Sequence, residues 1–206
     1  MNISTKRLFK YFSAILALII VSCESTKNNL PVLSYNFDSN GNKINYSISY
    51  KGKFKNQNGK LFTNKDLKGK VFIANFFFTR CPSICPPMKL QLTNLAKDFL
   101  YHDNFLIVSH TIDPYKDTPA RLKEYSISTG IPDDRWFFLT SSEKNTKALA
   151  KQYKTNFKPN ENGTDFYHSS FTALVDSDGL IRGFYDLLIP NEIELLKQDI
   201  NTLLNH

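Results

Sequence analysis

Two cysteines stand four positions apart in the stretch 71–88, VFIANFFFTRCPSICPPM. Two thiolates form a soft donor set suited to copper(I) or zinc. The same pair can also cycle between dithiol and disulfide. On a helical turn, residues i and i+4 share a side, with Cβ atoms roughly 5–6 Å apart. That spacing suits chelation; a disulfide needs Cβ atoms nearer about 4 Å and some loop adjustment. Amides at a helix start favour the thiolate. Arg80 adds positive charge if its side chain turns inward. Three prolines, Pro82, Pro86 and Pro87, flank Cys81 and Cys85 and make them poor core candidates.

Two thiolates leave a closed trigonal site one ligand short, and the chain has 4 histidines. His206 is terminal, and His102 falls in a polar helix-end loop. His168 sits in the run DFYHSS, just before a strand expected from residue 171. In a three-layer fold that loop approaches the cysteine-bearing helix start, so His168 is the expected third ligand. His110 closes the neighbouring strand. It is a candidate substitute ligand, or a residue packed behind the ligands.

The elements that must position these groups are legible from periodicity. Residues 71–78 form an apolar run that suits a strand covered on both faces. From about residue 87, Met88, Leu92, Leu95, Ala96, Phe99 and Leu100 recur at helical spacing. A second apolar strand is expected over 105–109, with His110 leaving it as loop. Asp117 or Thr118 caps a helix that has Pro119 in its first turn. A strand over 136–139, a helix over 143–153, a polar loop over 158–165, a hairpin around Ser177-Asp178-Gly179 and a helix from Asn191 follow. Alternation over 43–50 reads as a strand, and Asn58-Gly59 as a tight hairpin turn. The order predicts a three-layer α/β fold with a central mixed sheet and an N-terminal β-hairpin extension.

The N-terminus carries Lys6, Arg7 and Lys10, then an apolar run too short to span a bilayer comfortably. Ile20-Val21-Ser22-Cys23 follows, which resembles a bacterial lipobox. Residues 1–22 are therefore expected to be a lipoprotein-type signal peptide, with Cys23 lipidated. Residues 23–42 form a tether and extended segment, and 43–206 the domain. Removal of Lys6, Arg7 and Lys10 lowers the formal charge from +7 to +4. The positive charge is spread out and no arginine-rich stripe is present, so no nucleic-acid partner is expected. An exported domain meets an oxidising compartment, where a vicinal thiol pair is seldom idle.

From about residue 53 to the C-terminus the chain resembles the SCO/SenC family. The residues that carry the likeness are FFFTRCPSICPPM, TIDPYKDTP, Trp136 with Phe138-Leu139-Thr140, His168-Ser169, and VDSDG at 175–179. The resemblance implies a thioredoxin-like fold and a copper chaperone serving the CuA centre of cytochrome c oxidase subunit II, or a similar acceptor. It implies copper, as Cu(I) and also Cu(II), held by Cys81, Cys85 and His168. Asp113 and Asp117 match the acidic positions of the family's DPxxDTP element and are expected to order that loop. The implied setting is the cell envelope on the periplasmic side, with a lipid anchor in the membrane and an extracytoplasmic thiol reductant as partner. Departures from the family are Arg80, where histidine is common, and Ser83, where aspartate is common. Both make the site more electropositive.

The alternative is a thiol–disulfide oxidoreductase that reduces a partner's cysteine pair, with Cys81 attacking and Cys85 resolving. A peroxiredoxin-like peroxidase is disfavoured, because Thr79 stands two places before Cys81 and supplies no Thr-x-x-Cys arrangement.

Overall fold

Residues 71–77 are apolar almost without break because the strand they form is buried along its whole length. The computed structural model describes residues 30–161 and 166–205; Cys23, Asp165 and His206 lie outside them. In chain order the elements begin with β1 (Tyr35–Phe37), β2 (Lys43–Asn45), β3 (Phe54–Lys55), β4 (Leu61–Phe62) and β5 (Val71–Phe77). Then come α1 (Cys85–Asp98), β6 (Phe105–Thr111), α2 (Pro119–Ile127), β7 (Trp136–Leu139) and α3 (Glu143–Gln152). The chain closes with β8 (Lys158–Pro159), β9 (Phe166–Tyr167), β10 (Phe171–Val175), β11 (Ile181–Asp186) and α4 (Pro190–Leu204).

Five strands form the central sheet in the order β11-β10-β5-β6-β7. The β5, β6 and β7 strands are parallel, whereas β10 runs antiparallel to both β5 and β11. The sheet is therefore mixed, as expected. Along β5, Ile73, Asn75 and Phe77 face one layer, and Phe72, Ala74 and Phe76 face the other. Right-handed crossovers between three parallel strands in spatial order place α1 and α2 on the same layer. Met88 and Leu92 of α1 and Tyr125 of α2 accordingly meet Asn75 and Phe77. The ion pair between Lys197 and Asp98, 3.0 Å long, sets α4 beside the end of α1. On the opposite layer, Phe76 stacks on His110 and meets Tyr153 and Phe157 just beyond α3. Each fully buried Phe or Ile in this core contributes roughly 1.5–3 kcal/mol.

Asn75 interrupts the apolar strand for a specific reason. The Trp136 Nε1–H donates to Ser109 Oγ at 2.8 Å, and Ser109 donates to Asn75 Oδ1 at 2.6 Å. One buried relay satisfies three polar side chains.

Several elements depart from their expected bounds. The β2 strand ends at Asn45, and residues 46–50 are held by other means. Tyr46 Oη donates to the Gln152 carbonyl (2.7 Å), the Ser49 amide to Gln152 Oε1 (2.9 Å), and the Tyr50 amide to Asn64 Oδ1 (2.8 Å). Ile48 and Tyr50 are buried without a strand partner. The expected domain boundary at residue 43 falls inside the β1–β2 hairpin. Before that hairpin, the Leu33 amide bonds to the Ile181 carbonyl, and Ser34 Oγ accepts from the Ile181 amide. The β6 strand continues to Thr111, so His110 is a sheet residue and not a loop residue. The expected polar loop over 158–165 begins with β8, which pairs with β9 through Lys158 and Tyr167. The caps follow expectation: Thr118 Oγ1 accepts from the Arg121 amide with Pro119 in the first turn. No described helix is long and apolar enough to cross a membrane.

Candidate metal centre

The buried β5 strand delivers the chain to a tight turn at 78–81, closed by the Cys81 amide on the Phe78 carbonyl. Helix α1 begins at Cys85, two residues earlier than its apolar periodicity suggests. Cys81 therefore stands outside the helix, and the i, i+4 helical geometry does not describe the pair. A different device brings the thiols together. The N-cap residue Ile84 has no side-chain cap to offer. The Cys85 amide instead donates to Cys81 Sγ at 3.4 Å. The sulfur takes the capping place that Ser or Asp fills in other helices, and an aligned helix start favours negative charge on it.

His168 enters from across the molecule. The β8–β9 hairpin carries it, and Phe78 at the end of β5 packs edge-on against both Phe166 (5.2 Å between centroids) and His168 (5.6 Å). Its Nε2 lies 3.7 Å from Cys85 Sγ and 4.0 Å from Cys81 Sγ. The other ring nitrogen, Nδ1, is 3.1 Å from the Ser169 carbonyl. A carbonyl only accepts, so Nδ1 carries the proton and the Nε2 lone pair is left facing the sulfurs. The three ligand atoms all lie within 4.8 Å of one another. Both cysteines are free thiols and buried, and the histidine is half-buried. Two soft sulfurs and one imidazole nitrogen form a donor set that fits a thiophilic ion.

The two aspartates grip the chain just before Cys81. Asp117 is fully buried and its carboxylate accepts from the Thr79 amide (3.0 Å), the Thr79 hydroxyl (2.6 Å) and the Thr111 hydroxyl (2.5 Å). Asp113 accepts from Arg80 Nε at 2.8 Å. Arg80 thus turns toward a carboxylate, which offsets the positive field expected of it at the thiols. Ser83 Oγ is 3.9 Å from Cys81 Sγ.

His110 is not part of the centre. It shares the layer of Phe76 and α3, whereas Cys85 lines the layer of Asn75 and α1. Both of its ring nitrogens are engaged, with Tyr50 Oη at 2.8 Å and the Asn75 carbonyl at 3.1 Å. Burial lowers its pKa to about 4, only partly opposed by the Asn75 carbonyl. As a substitute ligand it is excluded by the strand's alternation: one more residue of β6 turned it to the far face.

Tyr125 escaped sequence reasoning because its spacing marks it as ordinary helix core. Tyr125 lines the same small cavity as Cys85, and burial first, then the charges of Cys85, Cys81 and Asp117, push its hydroxyl pKa upward. Lys89 sits 4.1 Å over its ring and bonds Ser128 Oγ.

A central strand that ends in a dithiol turn, with a histidine delivered by the loop before an antiparallel strand, defines a thioredoxin-like protein with an imidazole at its thiol pair. The SCO1/SenC family model matches residues 43–205, and the chain belongs to that family. A SCO1/SenC family lipoprotein from Bacillus anthracis is 29 % identical, with a TM-score of 0.69 over 84 % of this chain and 96 % of that one. BsSco, described as carrying a disulfide switch within the Sco family of cytochrome c oxidase assembly proteins, is 30 % identical. Its TM-score is 0.65, over 77 % of this chain and 94 % of that one. Yeast Sco1, solved with copper bound, is 29 % identical, with a TM-score of 0.58 over 76 % and 90 %.

Proposed function

We propose that this chain is an extracytoplasmic copper-binding metallochaperone. Cys81 and Cys85 hold copper as thiolates, and His168 Nε2 closes the site. The observation that carries this reading is the meeting of the three ligand atoms within 4.8 Å, although 83 residues separate Cys85 from His168. The copper-bound relative and the relative described in cytochrome c oxidase assembly support the choice of metal and of pathway. The acceptor is the CuA centre of oxidase subunit II or a similar copper site. Asp117 and Asp113 hold the 79–81 turn in register, so that Cys81 meets Cys85 before metal arrives. Transfer proceeds by exchange of thiolates: an incoming thiolate binds the ion as one of the chain's own lets go, with no change in oxidation state.

The close approach of two free thiols also favours a redox role. When a partner disulfide takes two electrons from the two copper-bound thiolates, Cys81 joins Cys85, the partner's sulfurs leave as two thiolates, and the ion is released. Return to the binding form then requires an extracytoplasmic thiol reductant. The lipobox at Cys23 would hold the protein to the membrane, and the lipoprotein among its relatives supports that placement.

Cu(I) competition on the reduced protein tests the site. One tight ion per chain is expected, weakened at least about 100-fold by His168→Ala, on the scale of losing one bond to a charged centre. An unchanged affinity in that variant would remove His168 from the site. Weak copper binding together with fast reduction of a partner disulfide would favour the oxidoreductase instead.

A further inference from the structure

Two clefts open on the α3 side of the sheet and share a wall. One, of about 680 Å³, is lined by His168, Tyr167 and Lys158. The other, of about 290 Å³, has Ala74, Ala173 and Phe184 as its floor and Phe171 at its edge. Lys154, Thr155 and Ser169 line both, so the two form one groove that starts at the imidazole of the metal triad. The sequence explains the hollow. Ala74 and Ala173 are directly paired across β5 and β10, and two methyl groups leave the sheet surface low. Helix α3 ends at Gln152 and packs toward the other half of the sheet, over Phe76 and His110.

Among the described lining residues the groove carries charge of one sign. No aspartate or glutamate is among its described lining residues, while Lys154 and Lys158 both line it. Lys144, Lys147 and Lys151 extend the basic stripe back along α3, with Lys147 paired to Glu143. Lys154 is notable in another way. Its φ of 52° makes it the only described non-glycine residue in the left-handed region. It sits just past the helix end, where glycine is the favoured residue and a side chain costs about 1 kcal/mol. A lysine occupies this strained point, at the junction of both clefts. Its ammonium donates to the Tyr35 carbonyl at 2.9 Å and lies 5.3 and 5.5 Å from the Tyr35 and Tyr46 ring centroids, so the cation is held beside the N-terminal segment where that segment meets the groove wall. Tyr167 and Phe171, 56 % and 47 % exposed, supply aromatic surface beside it.

We propose that this groove is the docking site for an extended acidic segment of the protein that receives the metal. Carboxylates of that segment lie against Lys154 and Lys158, and one apolar side chain fills the hollow over Ala74 and Ala173. The occupant is a polypeptide and not a lipid surface, because the apolar floor is concave and sunk between walls. The proposal rests on the metal-transfer reading above and names how the partner is recognised at that same site.

The test is selection of peptides from a random dodecapeptide phage library on the full chain, reduced and metal-free. Enriched peptides should carry several Asp or Glu residues and one large apolar residue. Their binding should weaken at least tenfold in Lys158→Glu with Thr155→Glu, and fall steeply between 50 and 500 mM salt, as roughly expected for exposed ion pairs. Lys154→Gln is a second variant, which removes the charge without adding an opposing one. Amide shifts on peptide addition should centre on Ser169, Phe171 and Thr155. No binders, binders without acidic residues, or binding indifferent to these variants would overturn the proposal. Copper competition on the same proteins separates the two readings. Copper bound normally with no acidic peptide in the groove defeats the docking site alone. Acidic peptide bound in the groove with no copper affinity defeats the chaperone reading alone.

Discussion

His110 and His168 show how one side chain can serve opposite ends. His168 is half-buried, with Nε2 turned to two sulfurs. His110 is 1 % exposed and spends both nitrogens on structural bonds. Burial depresses its pKa from 6.5 to about 4, so the folded protein holds it neutral. The unfolded chain takes up a proton near pH 6.5. Stability from this group is therefore complete above that pH and is lost progressively as pH falls toward 4. The loss over that window is on the order of 3 kcal/mol. Urea unfolding of the metal-free protein at pH 7.0, 5.5 and 4.5 would measure it, beside His110→Gln. The variant should be less stable at pH 7, because Tyr50 loses its bond to His110 and keeps only Tyr153, but its stability should fall less steeply with acid. Equal slopes in the two proteins would show that His110 is not the titrating group.

The elements around the thiols were partly legible in the sequence. The β5 run, the cysteine turn and the helix after it follow from apolar periodicity and prolines. His168 follows from the elimination of other histidines and from the strand it precedes. Other features were not legible, because they depend on contacts between distant segments. Where β6 stops is decided by its pairing with β5 through Phe77 and Thr111, and that alone fixes the face of His110. Cys81 as a helix cap depends on Ile84 having no polar side chain and on the turn at 78–81 placing a sulfur there. The DPxxDTP aspartates read as loop-ordering residues; Asp117 bonds Thr111 of that stretch and, beyond it, Thr79 just before Cys81. A prediction follows at this scale. In Asp117→Asn, one carboxylate oxygen becomes an NH2 donor facing groups that themselves donate. Thr79 loses part of its anchor, and a buried bond of this kind is worth about 1–3 kcal/mol. Stability should drop by that amount, and Cu(I) affinity by about tenfold or more, since the turn must be re-ordered when the ion binds. A variant that lost stability at unchanged copper affinity would show that the clamp supports the fold only.

At the scale of the whole molecule, the first described segment and the metal centre lie toward opposite ends of β5. The thiols follow the C-terminal end of β5. The N-terminal segment joins the sheet through Leu33 at Ile181, which pairs with Val175, itself opposite Phe72 at the start of β5. Seven strand residues separate the two ends, about 23 Å at about 3.3 Å per residue. From Cys23 to the first described residue, Leu30, the chain takes seven residue steps, which can span at most about 25 Å. A lipid on Cys23 would therefore keep the domain close to the bilayer while its thiols point away from it, toward an acceptor domain that projects from the same membrane. The net charge of the chain is positive, and an anionic bilayer would add to this attachment without replacing it, because one signal alone gives only reversible binding. Cys23→Ser in the full chain should leave Cu(I) affinity unchanged, since the metal triad is Cys81, Cys85 and His168. The same variant should fail to incorporate labelled fatty acid and should move from the membrane pellet to the soluble fraction after a high-salt wash. Copper delivery to a membrane-embedded acceptor should then slow, because the effective concentration set by the tether is lost, while delivery to the acceptor's isolated soluble domain should not. If both deliveries were unaffected, the anchor would have no part in bringing the two sites together.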